Sequence, residues 1–139
     1  MTASHPEVLI MAGSESDRSV VEKATRVLDE AGVGYVFEVA SAHRDPDRVA
    51  ELAREAEAKG YRVVIAAAGL AAALPGVVAA HTRLPVIGLP VGAGPLRGVD
   101  ALLAIAMLPP GVPVATVGID NGANAAHLAL RILGRANPA

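Results

Sequence analysis

Arg62-Val63-Val64-Ile65-Ala66-Ala67 is a nearly unbroken apolar run rich in β-branched residues. A strand this apolar has no water-facing side. It belongs at the centre of a parallel sheet with helices covering both faces. The same pattern recurs on either side of it. Glu7 to Met11, Tyr35 to Ala40, Pro85 to Leu89 and Pro113 to Ile119 read as further strands. Between the first two, Ser16 to Ala31 reads as a helix with Val20, Ala24, Val27, Leu28 and Ala31 on one face, ended by Gly32 and Gly34. Asp45-Pro46 starts a second helix, with Asp as N-cap and Pro in the first helical position, and it runs to about Lys59 before Gly60. Pro75 to about Thr82 is a short helix, Val99 to Leu108 an apolar one, and Asn121 or Asn124 caps a last helix through Leu133.

Strands that alternate with helices imply right-handed crossovers. The expected fold is therefore α/β, a three-layer α/β/α sandwich around a parallel sheet of flavodoxin-like order 2-1-3-4-5. A chain of 139 residues fits one domain, read as 1–139. Hydrophobic residues make up 53%, more than a core of this size consumes, and Val99 to Leu108 has almost no polar face. Both features predict an apolar surface buried between subunits of a homo-oligomer. Net charge is −2 and aromatics are only 2%, so there is neither a basic stripe nor a stacking platform for nucleic acid. The absence of cysteine excludes disulfides, thiolate metal sites and thiol catalysis. No stretch is long and apolar enough to span a bilayer and the N-terminus carries no signal pattern, so a cytoplasmic protein without membrane partners is expected.

Chemistry concentrates where strands hand over to helices, the edge at which open α/β sheets bind ligands. Gly13-Ser14-Glu15-Ser16-Asp17 follows the first strand. Its glycine permits a tight turn, and its hydroxyls join the free amides of a helix N-terminus, which suits an anion. Asp17 could accept from sugar hydroxyls. The competing reading is a simple N-cap. The segment lacks the Gly-Lys-Ser/Thr ending of a P-loop. Ser41-Ala42-His43-Arg44 follows the second strand. Arg44 can grip a phosphate with paired hydrogen bonds, and the His43 imidazole can give or take a proton. A chance surface turn is the alternative, but two such turns on neighbouring strands would face one crevice. Ala68-Gly69-Leu70-Ala71-Ala72-Ala73-Leu74-Pro75-Gly76 follows the third strand, and its small residues, Gly69 among them, would let a flat ring lie against backbone amides or simply pack closely. His5, His81 and His127 lie in less suggestive settings, and no His/Asp/Glu cluster has the spacing of a metal site.

These motifs resemble the N5-carboxyaminoimidazole ribonucleotide mutase family of purine biosynthesis (PurE), and the likeness covers nearly the whole chain. It rests on residues 13–17, 41–44 and 68–76, on Leu-Pro-Val-Ile-Gly-Leu-Pro-Val at 84–91, and on Pro-Val-Ala-Thr-Val-Gly-Ile at 113–119. The resemblance implies a flavodoxin-like subunit in a homo-octamer with sites at subunit contacts. It implies a small nucleotide substrate whose phosphate is held by Ser14 and Arg44 and whose ribose is held by Asp17, with Ser16 and Ser41 close by. It makes His43 the general acid/base of a carboxyl transfer from N5 to C4 of the imidazole, with no metal or other cofactor. The chain departs from the family pattern at Ala73, where His is usual, at Ala93, where Ser is common, and at Met107, where Gln is common. These changes motivate two alternatives, a carboxylase using carbon dioxide on aminoimidazole ribonucleotide or another ring nucleotide, and a non-catalytic binder of phosphate ligands. Ala73-Leu74-Pro75 and Ile119-Asp120-Asn121-Gly122 also resemble the pyridinium carboxylases of nickel-pincer cofactor synthesis.

Overall fold

A computed structural model describes residues 5–136. Its sheet contains β1 (Val8–Ala12), β2 (Tyr35–Val39), β3 (Val63–Gly69), β4 (Val86–Val91) and β5 (Ala115–Thr116), in the order β2-β1-β3-β4-β5. All neighbours are parallel, and Ile10, Ile65 and Ile87 fall in register across the three central strands. The helices are α1 (Arg18–Glu30), α2 (Pro46–Ala56), α3 (Leu74–His81), α4 (Val99–Ala106) and α5 (Gly122–Ile132).

The period of a strand sends alternate side chains to opposite faces. Val8, Ile10, Ala12, Ile65, Ala67, Ile87 and Leu89 pack with α1 and α5 on one face, against residues such as Val21, Leu28 and Ala129. Leu9, Met11, Val64 and Ala66 pack on the other face with α2, α3 and α4, against Val49, Ala53, Val78 and Ile105. β1 and β4 are buried along their whole lengths, and β3 is buried up to Gly69. These three strands leave no room for a functional polar group except beyond their ends.

Local signals read from the sequence set the boundaries. The Asp45 carboxylate accepts from the Arg48 amide at 3.3 Å and Pro46 opens α2. The regular α-helix stops at Ala56, but Lys59 N still donates to Glu55 O at 3.0 Å, and Tyr61 N to Ala56 O at 3.1 Å, so helical turns continue to Gly60. Asn121 caps α5 by accepting from Asn124 N at 2.9 Å. Gly32, at φ 69, closes α1: Gly32 N reaches Asp29 O at 3.1 Å and Val33 N reaches Leu28 O at 3.0 Å.

Two elements differ from the sequence expectation. The first helix starts as a 3-10 turn over Glu15–Asp17, because the Ser14 side chain accepts from Ser16 N and tightens the entry. The fifth strand spans two residues rather than the stretch from Pro113 to Ile119. Pro113 offers no amide to a ladder, and beyond Val117, whose N still donates to Gly88 O at 3.1 Å, the regular pairing gives way to a turn with a left-handed Asp120 at φ 60. α1 and α5 meet closely at Gly122, where an added Cβ would overlap the Val20 carbonyl oxygen and lie 3.0 Å from the Lys23 Cβ. Gly122→Ala should therefore cost about 2 kcal/mol, read in thermal unfolding as a Tm lower by roughly 5–10 °C.

Candidate active site

The turns that leave β1, β2 and β3 close round one cleft of about 390 Å³ at the carboxyl edge of the sheet. Ser14, Ser16, Asp17, Ser41, His43, Arg44 and Gly69 all line it. Its wall on the β3 and β4 side is formed by alanines, Ala73 and Ala93 among them. The β1 end of the cleft carries the hydroxyls and the carboxylate, and its far wall is hydrocarbon.

The first turn is tied internally. Ser14 Oγ lies 2.8 Å from Ser16 Oγ and accepts from Ser16 N at 3.2 Å, while Asp17 N donates to Ser14 O at 3.0 Å. Arg18 pairs with Glu15 and stacks its guanidinium 4.8 Å from the Phe37 ring centroid, which pins the turn against β2. Asp17 is 5% exposed and is the only buried charged side chain among the described residues. Burial pushes its carboxyl above the ordinary value, partly offset by the Ser14 backbone amide. Its position at the N-terminus of α1 favours the negative charge that burial penalises. A buried carboxylate beside two hydroxyls is a strong acceptor for ligand O–H groups.

The second turn is braced by Ser41. Its hydroxyl accepts from Arg44 N at 3.2 Å and its carbonyl from Asp45 N at 2.8 Å. This bracing holds the His43-Arg44 step while both side chains stay exposed at the mouth of the cleft. Arg44 enters none of the ion pairs among the described residues, so its guanidinium remains available to an anion.

The third turn contains a feature that composition does not show. Leu70 has φ 53, a left-handed backbone that is strained for a residue with a bulky side chain. Ala72 N and Ala73 N fold back to Leu70 O and Ala71 O, each at 2.8 Å. The fold-back delivers Ala73 as the N-cap of α3 without a capping side chain. Little donor capacity is left at this end of α3, because Pro75 has no amide hydrogen and Val77 N already donates to Ala73 O at 3.0 Å. A left-handed leucine has no sequence signal, whereas the small residues around it do.

A second, mainly apolar hollow shares His43 and Ala71 to Ala73 with the cleft and continues between α3 and α4 to Ala104 and Leu108. Met107 lies outside the cleft at the end of α4, 78% exposed. The apolar helix predicted for a subunit contact carries an open face: Val99 is 50% and Leu103 55% exposed. Among the described residues, no helix is long and apolar enough to cross a membrane.

A family model described as AIR carboxylase matches residues 7–139. An N5-carboxyaminoimidazole ribonucleotide mutase from Pyrococcus horikoshii is 53% identical over 134 residues, covering 96% of this chain and 76% of that protein. A phosphoribosylaminoimidazole carboxylase from Schizosaccharomyces pombe is 53% identical over 133 residues, covering 96% of this chain and 24% of that longer protein. The crystal structure of Treponema denticola PurE superposes with a TM-score of 0.83 at 31% identity, covering 94% of this chain and 81% of the other.

The burial of Asp17 has a measurable effect on stability. Because burial disfavours the carboxylate, the folded protein binds a proton at Asp17 more tightly than the unfolded chain does. The resulting penalty is present above the folded-state pKa and disappears as pH falls through it to below the ordinary carboxylate range. Asp17→Asn should therefore resist urea better than the parent protein at neutral pH, and urea titrations across the acid range should show that advantage vanish.

Proposed function

The chain belongs to the AIR carboxylase family, and from that membership we propose that it is an N5-carboxyaminoimidazole ribonucleotide mutase. It is an isomerase of purine biosynthesis that moves a carboxyl group from N5 to C4 of the imidazole. One observation carries the reading down to residues: a single cleft joins a hydroxyl-and-carboxylate end to an alanine wall, with His43 and Arg44 at its mouth. The substrate has a matching polarity, with a phosphoribosyl group at one end and a ring bearing the migrating carboxyl at the other.

Arg44 and Ser14 hold the phosphate, aided by Ser16 and by Ser41, which fixes the Arg44 backbone. Asp17 accepts from the ribose hydroxyls. The ring lies over Gly69 and the third turn. His43 in its protonated form donates to N5 as the N5–carboxyl bond breaks, leaving the free amine and carbon dioxide. The alanine wall holds carbon dioxide without hydrating it, since no polar side chain there offers water a foothold. The ring C4 then attacks the carbon and a new C–C bond forms. Neutral His43 removes the C4 proton, which restores the aromatic ring and the starting state of the imidazole. One proton is given and one is taken back, so the reaction balances with no further reagent.

A carboxylase acting on aminoimidazole ribonucleotide plus carbon dioxide is the second reading, motivated by the alanines at 73 and 93 and consistent with the name of the Schizosaccharomyces pombe relative. Purified protein is assayed with the N5-carbamate and separately with aminoimidazole ribonucleotide plus bicarbonate. Carboxyl transfer in the first assay supports the mutase. Turnover in the second alone replaces it with the carboxylase, and turnover in neither leaves only a binder of phosphate ligands. His43→Ala should lower kcat by roughly 10²–10⁴ with little change in KM. Arg44→Met should raise KM by about tenfold or more, as loss of a charge-assisted phosphate contact requires.

The assembly proposed is a homo-octamer in the cytoplasm. The open face of α4, with Val99, Leu103 and Met107, supports association through that helix. Leu103→Asp should break the assembly into smaller species in sedimentation velocity, and an unchanged sedimentation coefficient would count against α4 as the contact.

A further inference from the structure

We propose that Asp120 is a positioning residue for the reacting end of this cleft, acting through the turn that carries Ala93. The inference deepens the mutase reading and rests on it. Asp120 stands just before α5, outside the cleft, in the left-handed region at φ 60. Aspartate tolerates that conformation better than most residues. The bend lets it bind the exit of β4 from both sides. Its backbone amide donates to Pro90 O at 2.8 Å, and its carboxylate Oδ1 accepts from Gly92 N at 2.8 Å. Its own carbonyl accepts from Lys23 Nζ at 3.2 Å, which ties the arrangement to α1.

The close fit explains the glycine at 92. An added Cβ would lie 2.9 Å from Asp120 Oδ2 and 3.4 Å from Arg97 O. Ala93, the next residue, lines the cleft, and a Cβ added at Gly69 would stand 3.3 Å from the Ala93 Cβ. The path from Asp120 to the site is therefore two residues long: carboxylate to Gly92 amide, then Ala93 against Gly69. Ala93 has no polar group of its own with which to fix its place, so the wall depends on what holds the backbone behind it. With that hold lost, the wall loosens where carbon dioxide must be retained.

The experiment compares Asp120→Gly, which keeps the left-handed backbone but removes the acceptor, with Asp120→Asn, which keeps an acceptor oxygen. Two quantities are read on the full chain. One is hydrogen exchange at the Gly92 amide. The other is the partition of N5-carbamate between C4-carboxylated product and aminoimidazole ribonucleotide plus escaped carbon dioxide, after subtraction of the loss measured without enzyme. Partition does not depend on how much of the variant is folded, so a merely structural defect leaves it unchanged. Asp120→Gly should speed Gly92 exchange roughly tenfold and raise the escaped fraction by about threefold or more, while Asp120→Asn stays near the parent in both. Asp120→Ser takes its place should Asp120→Gly fail to fold. Unchanged exchange, or faster exchange with an unchanged partition, overturns the proposal. A parent protein that moves no carboxyl group overturns the mutase reading instead, and the exchange result still decides whether Asp120 holds the β4 exit.

Discussion

Both faces of the sheet are covered, and that constraint organises the molecule. A strand with helices above and below cannot carry a charge without leaving it unsolvated and unpaired. β1, β3 and β4 accordingly run as Val, Leu, Ile, Met, Ala and Gly, with Pro90 near the end of β4. Reactive side chains are pushed to the segments beyond the carboxyl ends of the strands. β1 sits between β2 and β3, so the turns that follow these three strands are brought together. The cleft lies where their backbones separate toward different helices.

Asp17 is the exception to the ban on buried charge, and its cost is contained rather than avoided. Its carboxylate lies at the start of a helix, one turn from two hydroxyls, with the Ser14 amide in reach. The Ser14 amide favours the anion, and burial still outweighs it. A site that keeps an acceptor partly desolvated before a ligand arrives has less water to displace when a donor takes its place. The alanine wall works in the opposite sense. It makes no bond that discriminates between ligands, and its contribution is shape and dryness.

Much of this architecture is legible in the residues. The apolar run ending at Ala67 announces a central strand, Asp45-Pro46 announces a helix start, and the two polar turns at 13–17 and 41–44 announce the segments that line one cleft. These signals are local, a periodicity or a cap within a few positions, and local physics determines them. The features that the sequence hides are non-local. The brevity of β5 depends on where its backbone must go to meet β4. The left-handed Leu70 is held by the turn that packs around it, and nothing in a leucine forecasts it. The burial of Asp17 requires knowing that α1 and β3 close over the first turn. Met107 lies outside the cleft, exposed just past the end of α4, which its apolar character does not reveal.

The short β5 has a consequence for how copies of this chain can meet. A long bare strand at a sheet margin presents unpaired amides and carbonyls, and another chain can add to it without limit. Here that margin is two residues long and is preceded by Pro109, Pro110 and Pro113, which have no amide hydrogen to offer. Backbone pairing across this border would stop almost as soon as it began. Contacts on this side of the sheet must therefore be made by side chains, whose shapes can specify a closed and countable particle.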